Sequence, residues 1–110
     1  MAAATKRSRT GGRGNVMAYM VVRHKVEDYE RWKPVFDEHA SVREQSGSQG
    51  GRLFRNADDP NETLILWRWD NLDNARAFAQ SQDLRETMRR AGVAEPPDIF
   101  FLEEVEEVPV

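Results

Sequence analysis

Residues 62–69 read ETLILWRW, the strongest strand signal in the chain. β-Branched, aliphatic and aromatic side chains of this kind fit a pleated, half-buried surface. The run before it, Ala57-Asp58-Asp59-Pro60-Asn61, is turn chemistry. Upstream again, Gly50 and Gly51 open a second strand over residues 51–57 that contains Leu53 and Phe54. Two strands joined by a short polar turn predict an antiparallel hairpin.

Working outward from the hairpin, residues 17–26, MAYMVVRHKV, read as a strand. Met20, Val22, His24 and Val26 share one face; Tyr19, Val21, Arg23 and Lys25 share the other. Both faces begin apolar, which predicts a strand covered on both sides. Asp28 is a good N-cap for a helix from Tyr29 to about Gln45. Its apolar stripe is Trp32, Val35, Phe36, His39, Ala40 and Val42 or Arg43. A slightly late start or a small kink would absorb Pro34, and Gly47 ends the helix. After the hairpin, Asn71 or Asp70 caps a second helix with Ala75, Phe78 and Ala79 inward. Asp83 reads as a fresh N-cap for a short helix over residues 84–91 with Leu84 and Met88, closed by Gly92. Pro96 and Pro97 form a rigid connector into a last strand, residues 98–105, DIFFLEEV.

The order β-α-β-β-α-β predicts an α+β, ferredoxin-like split βαβ fold: a four-stranded antiparallel sheet with the helices on one face. The other face, with Val21, Leu64, Leu66 and members of the 99–102 run, would be uncovered. An apolar patch of that kind meets a partner, which predicts a homodimer through this face.

The chain has 110 residues, enough for one domain. No apolar stretch has the length of a membrane span, so no membrane partner is expected. There is no cysteine, which excludes disulfides, thiolate catalysis, iron–sulfur clusters and Cys-ligated zinc and leans towards a cytoplasmic location. Residues 1–15 carry Lys6, Arg7, Arg9 and Arg13 and no acid. They predict a disordered basic tail ahead of a domain over residues 16–110, with Met17 as an alternative start and no pattern of a secretory signal. The net charge of −3 therefore hides an acidic domain, for which no nucleic-acid partner is expected.

The segments VVRHKV, DYERWKPVFDEH, GGRLFRNADDPNE, ILWRWDNLDNARAF and DLRETMRRAG together resemble the dimeric α/β-barrel superfamily. More narrowly, they resemble its small bacterial antibiotic-biosynthesis-monooxygenase-like proteins. The resemblance implies a ligand pocket between sheet and helices. The superfamily includes cofactor-independent monooxygenases of polyketide quinols, haem-degrading oxygenases, polyketide cyclases and lactone isomerases, and fold alone does not choose among them.

His24 and His39 are the only histidines; if the helix covers the strand face that carries His24, both imidazoles point into that one pocket. A neutral imidazole there is a candidate general base; the plain alternative is a pair of hydrogen-bonded core histidines. Trp67 and Trp69 share a strand face and are candidates to flank a planar ligand. Trp32, Phe36, Phe78 and Met88 complete the expected lining. The resemblance to the haem-degrading branch matches Trp69 to a tryptophan that distorts the macrocycle. Met88 stands where that branch has an iron-binding histidine, which argues against haem. No metal motif is present, and no cofactor is expected. Arg23, Arg52, Arg55 and Arg68 lie on strands as ion-pair partners, one of them a candidate to hold a phenolate or carboxylate. Arg85, Arg89 and Arg90 form a basic helix face suited to the acidic C-terminus of a second copy. The competing functions are a cofactor-independent oxygenase, cyclase or isomerase on an aromatic or polyketide-like compound, and a non-catalytic or stress-related binding protein of the same fold.

Overall fold

The computed structural model describes residues 18–110, so the expectation for the tail over residues 1–15 lies outside the described residues. The elements are β1 (Ala18–Lys25), α1 (Tyr29–Glu38), α2 (Ala40–Ser46), β2 (Ser48–Asn56), β3 (Asp59–Trp69), α3 (Leu72–Ala79), α4 (Gln82–Ala91) and β4 (Asp98–Glu103). The strands form one antiparallel sheet in the order β2-β3-β1-β4. The fold is the α+β, ferredoxin-like arrangement, with every helix on one face of the sheet.

The hairpin turn is tighter than the sequence predicts. Asn56 pairs with Asp59 across only Ala57 and Asp58. The Asn56 carboxamide oxygen accepts the Asp58 amide at 2.7 Å, a side-chain mimic of a backbone turn. The register then jumps to Arg55 opposite Thr63, which leaves Pro60, Asn61 and Glu62 out of the β2 ladder. Pro60 is tolerated there because a bulge needs no amide from it. At the other end of β2, a Cβ on Gly51 would collide with the Leu66 carbonyl. The absence of a side chain lets the two strands approach beside their second register shift.

The helix expected over residues 29–45 is two helices, and the break is at His39 rather than at Pro34. Asp28 caps α1 by accepting the Glu30 amide at 3.1 Å. Pro34 removes one intrahelical donor, and the helix continues through it. At His39 the amide is shared between the Val35 and Phe36 carbonyls at 3.3 Å each. The Arg43 guanidinium reaches back to the Phe36 carbonyl at 2.8 Å and satisfies that end of α1. A second correction concerns α4. It begins at Gln82, and its cap is Ser81, whose hydroxyl accepts the Leu84 amide at 3.1 Å; Asp83 sits inside the first turn. Gly92 closes α4 at φ 80°, a conformation that side chains resist. The last strand stops at Glu103.

Met20, Val22, Ile65, Trp67 and Trp69 on the sheet pack against Trp32, Ala75 and Phe78 on the helices. The second face of β1 is open in the single chain. Val21 lies between Leu66 and Phe100, Tyr19 beside Leu102, and Leu64 beside Phe54. Phe54 and Phe100 are 50% and 57% exposed. Among the described residues no helix is long and apolar enough to cross a membrane.

Candidate functional site

Alternation along β1 turns Met20, Val22 and His24 toward the helices. Register places His24 directly opposite Thr63 of β3. The Thr63 oxygen lies 3.4 Å from both the His24 ring Nε2 and the His24 carbonyl. One arrangement satisfies both contacts: the hydroxyl donates to the carbonyl, and Nε2–H donates to the hydroxyl oxygen. That leaves the lone pair on Nδ1, which is buried and has no partner. The ring is 6% exposed and meets Trp32 edge-on at 5.6 Å. Burial pushes its pKa down to about 4, so the imidazole is neutral near pH 7.

His39 occupies the junction of α1 and α2 and is 7% exposed. Its Nε2 is 2.7 Å from an Asp83 carboxylate oxygen on α4. An ionised carboxylate only accepts, so Nε2 carries the hydrogen and Nδ1 is the lone-pair nitrogen of the neutral ring. This contact is what Asp83 does in place of capping the helix.

The two rings line one cavity of about 60 Å³ between sheet and helices. Its floor is Met20, Val22, Ile65 and Trp67; Trp32, Phe36 and Phe78 form aromatic walls; Leu84, Thr87 and Met88 of α4 roof it. Of the residues singled out from sequence, His24, His39, Trp67, Trp32, Phe36, Phe78 and Met88 therefore come together. Trp69 does not line this cavity. It lies deeper, 5.3 Å from Phe78, with its indole nitrogen buried and unpartnered.

Arg43 also lines the cavity, and the sequence reading did not select it. Its guanidinium is 4.2 Å from the Phe36 ring centre and 4.9 Å from that of Trp67. The signal for it was its phase: four residues after His39 and seven after Phe36, on the inward stripe. The four strand arginines are elsewhere. Arg23 pairs with Glu62 and Asp98, Arg55 lies over Tyr29, and none of the four lines the cavity. Among the described residues, no group of three or more His, Asp or Glu side chains is placed to hold a metal ion.

A family model described as antibiotic biosynthesis monooxygenase matches residues 15–90. No curated protein matches the chain. Among solved structures, an antibiotic biosynthesis monooxygenase-like protein of Bordetella bronchiseptica is 20% identical, with a TM-score of 0.71 over 84% of this chain and 100% of its own. SnoaB, a cofactor-independent oxygenase from Streptomyces nogalater, is 16% identical, with a TM-score of 0.70 over 86% of this chain and 99% of its own. The monooxygenase ActVA-Orf6 of Streptomyces coelicolor, in complex with nanaomycin D, is 18% identical, with a TM-score of 0.63 over 84% and 91%. At these identities the likeness is one of fold.

Proposed function

The chain belongs to the antibiotic biosynthesis monooxygenase family, and from that premise we propose a homodimeric protein that oxygenates a small hydroxylated arene or polyketide-like compound without a cofactor. The observation that supports this reading is the convergence of His24 and His39 on one aromatic-walled cavity. Each ring is held by a side chain, Thr63 or Asp83, and not by the backbone.

The two imidazoles suit different tasks. A phenolic proton, pKa about 10, passed to an imidazole of pKa about 4 is uphill by roughly 8 kcal/mol. His24 therefore serves as a hydrogen-bond acceptor for a ligand hydroxyl through Nδ1. His39 is the base, because the Asp83 carboxylate at 2.7 Å stabilises the imidazolium that proton transfer creates. In the proposed reaction the phenolic proton goes to His39 and the electron-rich ring carbon bonds dioxygen. The resulting hydroperoxide loses water to leave a quinone carbonyl. The substrate loses two hydrogens and gains one oxygen, and the second oxygen leaves in water.

The cavity of about 60 Å³ is well below the roughly 300–1,000 Å³ of small-molecule pockets, so a ligand must widen it. α4 is the wall suited to yield, since Ala91 is its only fully buried side chain. A second reading is a non-catalytic binding protein, favoured by the weak basicity of His24. The test is a thermal-shift screen with quinols, lactones and haem, followed by oxygen uptake with each compound that binds. A quinol should raise Tm and be consumed with equal oxygen. His39→Gln should retain binding and lose uptake by about 10²- to 10⁴-fold. Uptake unchanged in His39→Gln removes the assigned base, and binding without uptake selects the second reading.

A further inference from the structure

Arg43 is a buried cation, and among the described residues no carboxylate pairs with it. It is 9% exposed, and a guanidinium remains charged at any ordinary pH. A charge taken out of water is normally paired. The acid that acts on it through space, Asp37, is held by Lys33 at 2.7 Å. Of its five donors, one meets the Phe36 carbonyl, and among the described residues the others have no protein acceptor. Two aromatic rings flank it, and cation–π contact offsets part of the lost hydration.

A structural role accounts for one of these contacts: Arg43 ends α1 by satisfying the Phe36 carbonyl. It does not account for the remaining donors or for the placement of the residue on a cavity wall. His24 lines the same cavity, and its Nδ1 is buried and unpartnered. The cavity wall thus carries a cation with no paired carboxylate among the described residues and a histidine whose Nδ1 lone pair is unpartnered, with the rings of Trp32 and Phe36 between them. A ring bearing one ionised oxygen and one hydroxyl answers both.

We propose that Arg43 is a specificity-determining residue that selects monoanionic arenes, phenolates or aryl carboxylates, over neutral arenes of the same size. The assignment rests on reading the cavity as a small-molecule site. The guanidinium fork meets the oxyanion at its edge, while Phe36 and Trp67 keep it in place.

The experiment measures binding of 4-nitrophenol above its pKa, of 4-nitrobenzoate, and of nitrobenzene as the neutral reference, to the wild type, Arg43→Met and Arg43→Lys. The wild type should bind at least one anion more tightly than nitrobenzene, and which anion it is separates phenolate from carboxylate. Arg43→Met should lose that anion by about 10- to 100-fold, the range of a charge-assisted hydrogen bond. Its nitrobenzene affinity should stay within about threefold of wild type, because the rings remain. Arg43→Lys keeps the charge without the fork and should retain a reduced anion preference. It carries the test if circular dichroism shows that Arg43→Met does not fold. An anion preference unchanged in Arg43→Met, or equal in Arg43→Lys and wild type, overturns the assignment and leaves the cavity reading intact. Parallel loss of anion and neutral probe in a folded Arg43→Met also overturns it, in favour of a purely structural arginine. If the wild type binds none of the three, the cavity reading itself fails.

Discussion

His24 is held in the neutral form by burial alone, and that has a consequence for stability. Its folded-state pKa is about 4 against an ordinary 6.5. Between those values the unfolded chain binds the proton and the folded chain does not. Stability therefore rises with pH across this window. It is fully recovered above about 6.5 and is lost as pH falls toward 4, with a total near 3 kcal/mol. His24→Leu removes the titration, so urea unfolding of that variant should lose about 3 kcal/mol less between pH 6.5 and pH 4. Equal losses in the two proteins would mean that His24 is not kept neutral. The meeting of His24 and His39 is legible in sequence, because strand alternation and helical spacing each assign a side chain to a face. Arg43 is harder to read. Phase places it inward, but its charge argues outward, and only the tertiary contact with Phe36 and Trp67 decides the matter. Trp67 and Trp69 pose a different difficulty. They share a face, and which one lines the cavity depends on where α3 crosses the sheet.

At the level of elements, strands were easier to read than helix ends. The period of two in ETLILWRW survives any turn geometry, whereas a cap depends on which nearby oxygen is closest to the first free amides. Asp83 and Ser81 are both good caps by type. Ser81 takes the Leu84 amide, and Asp83 is drawn to His39, 44 residues earlier in the chain. A contact that distant leaves no local trace. The break at His39 goes with a nearer contact, the Arg43 guanidinium donating to the Phe36 carbonyl seven residues back, which no cap residue marks. The two roles predict opposite exchange behaviour at the start of α4. Ser81→Ala should cost about 1 kcal/mol in urea unfolding and speed hydrogen exchange at the Leu84 amide. Asp83→Asn should leave that amide protected. Faster exchange at Leu84 in Asp83→Asn but not in Ser81→Ala would return the cap to Asp83.

For the whole molecule the open sheet face is the dominant fact. Val21, Leu64, Leu66, Phe54, Phe100 and Leu102 form one apolar surface across all four strands. Polar contacts edge it: the ion pairs of Arg23 with Glu62 and Asp98 at one end, and the Tyr19 hydroxyl donating to Glu104 at the other. An apolar centre with a polar rim is the build of a protein interface. In the proposed homodimer a two-fold axis through the face would present the same patch to itself, so one substitution would enter the interface twice. Leu66 sits near the middle, between Val21 of β1 and Arg52 of β2. An aspartate there faces its own copy or an apolar neighbour, and burying such an unpaired charge costs several kcal/mol per site. The wild type, with a chain mass of 12.7 kDa, should scatter light as twice that mass. Leu66→Asp should give monomers or aggregates under the same conditions. The substitution lies on the side of the sheet away from the cavity, so a monomeric Leu66→Asp should still show the pH-dependent loss that belongs to His24. A monodisperse Leu66→Asp dimer that resists dilution as well as the wild type would mean that the chains associate through a different surface.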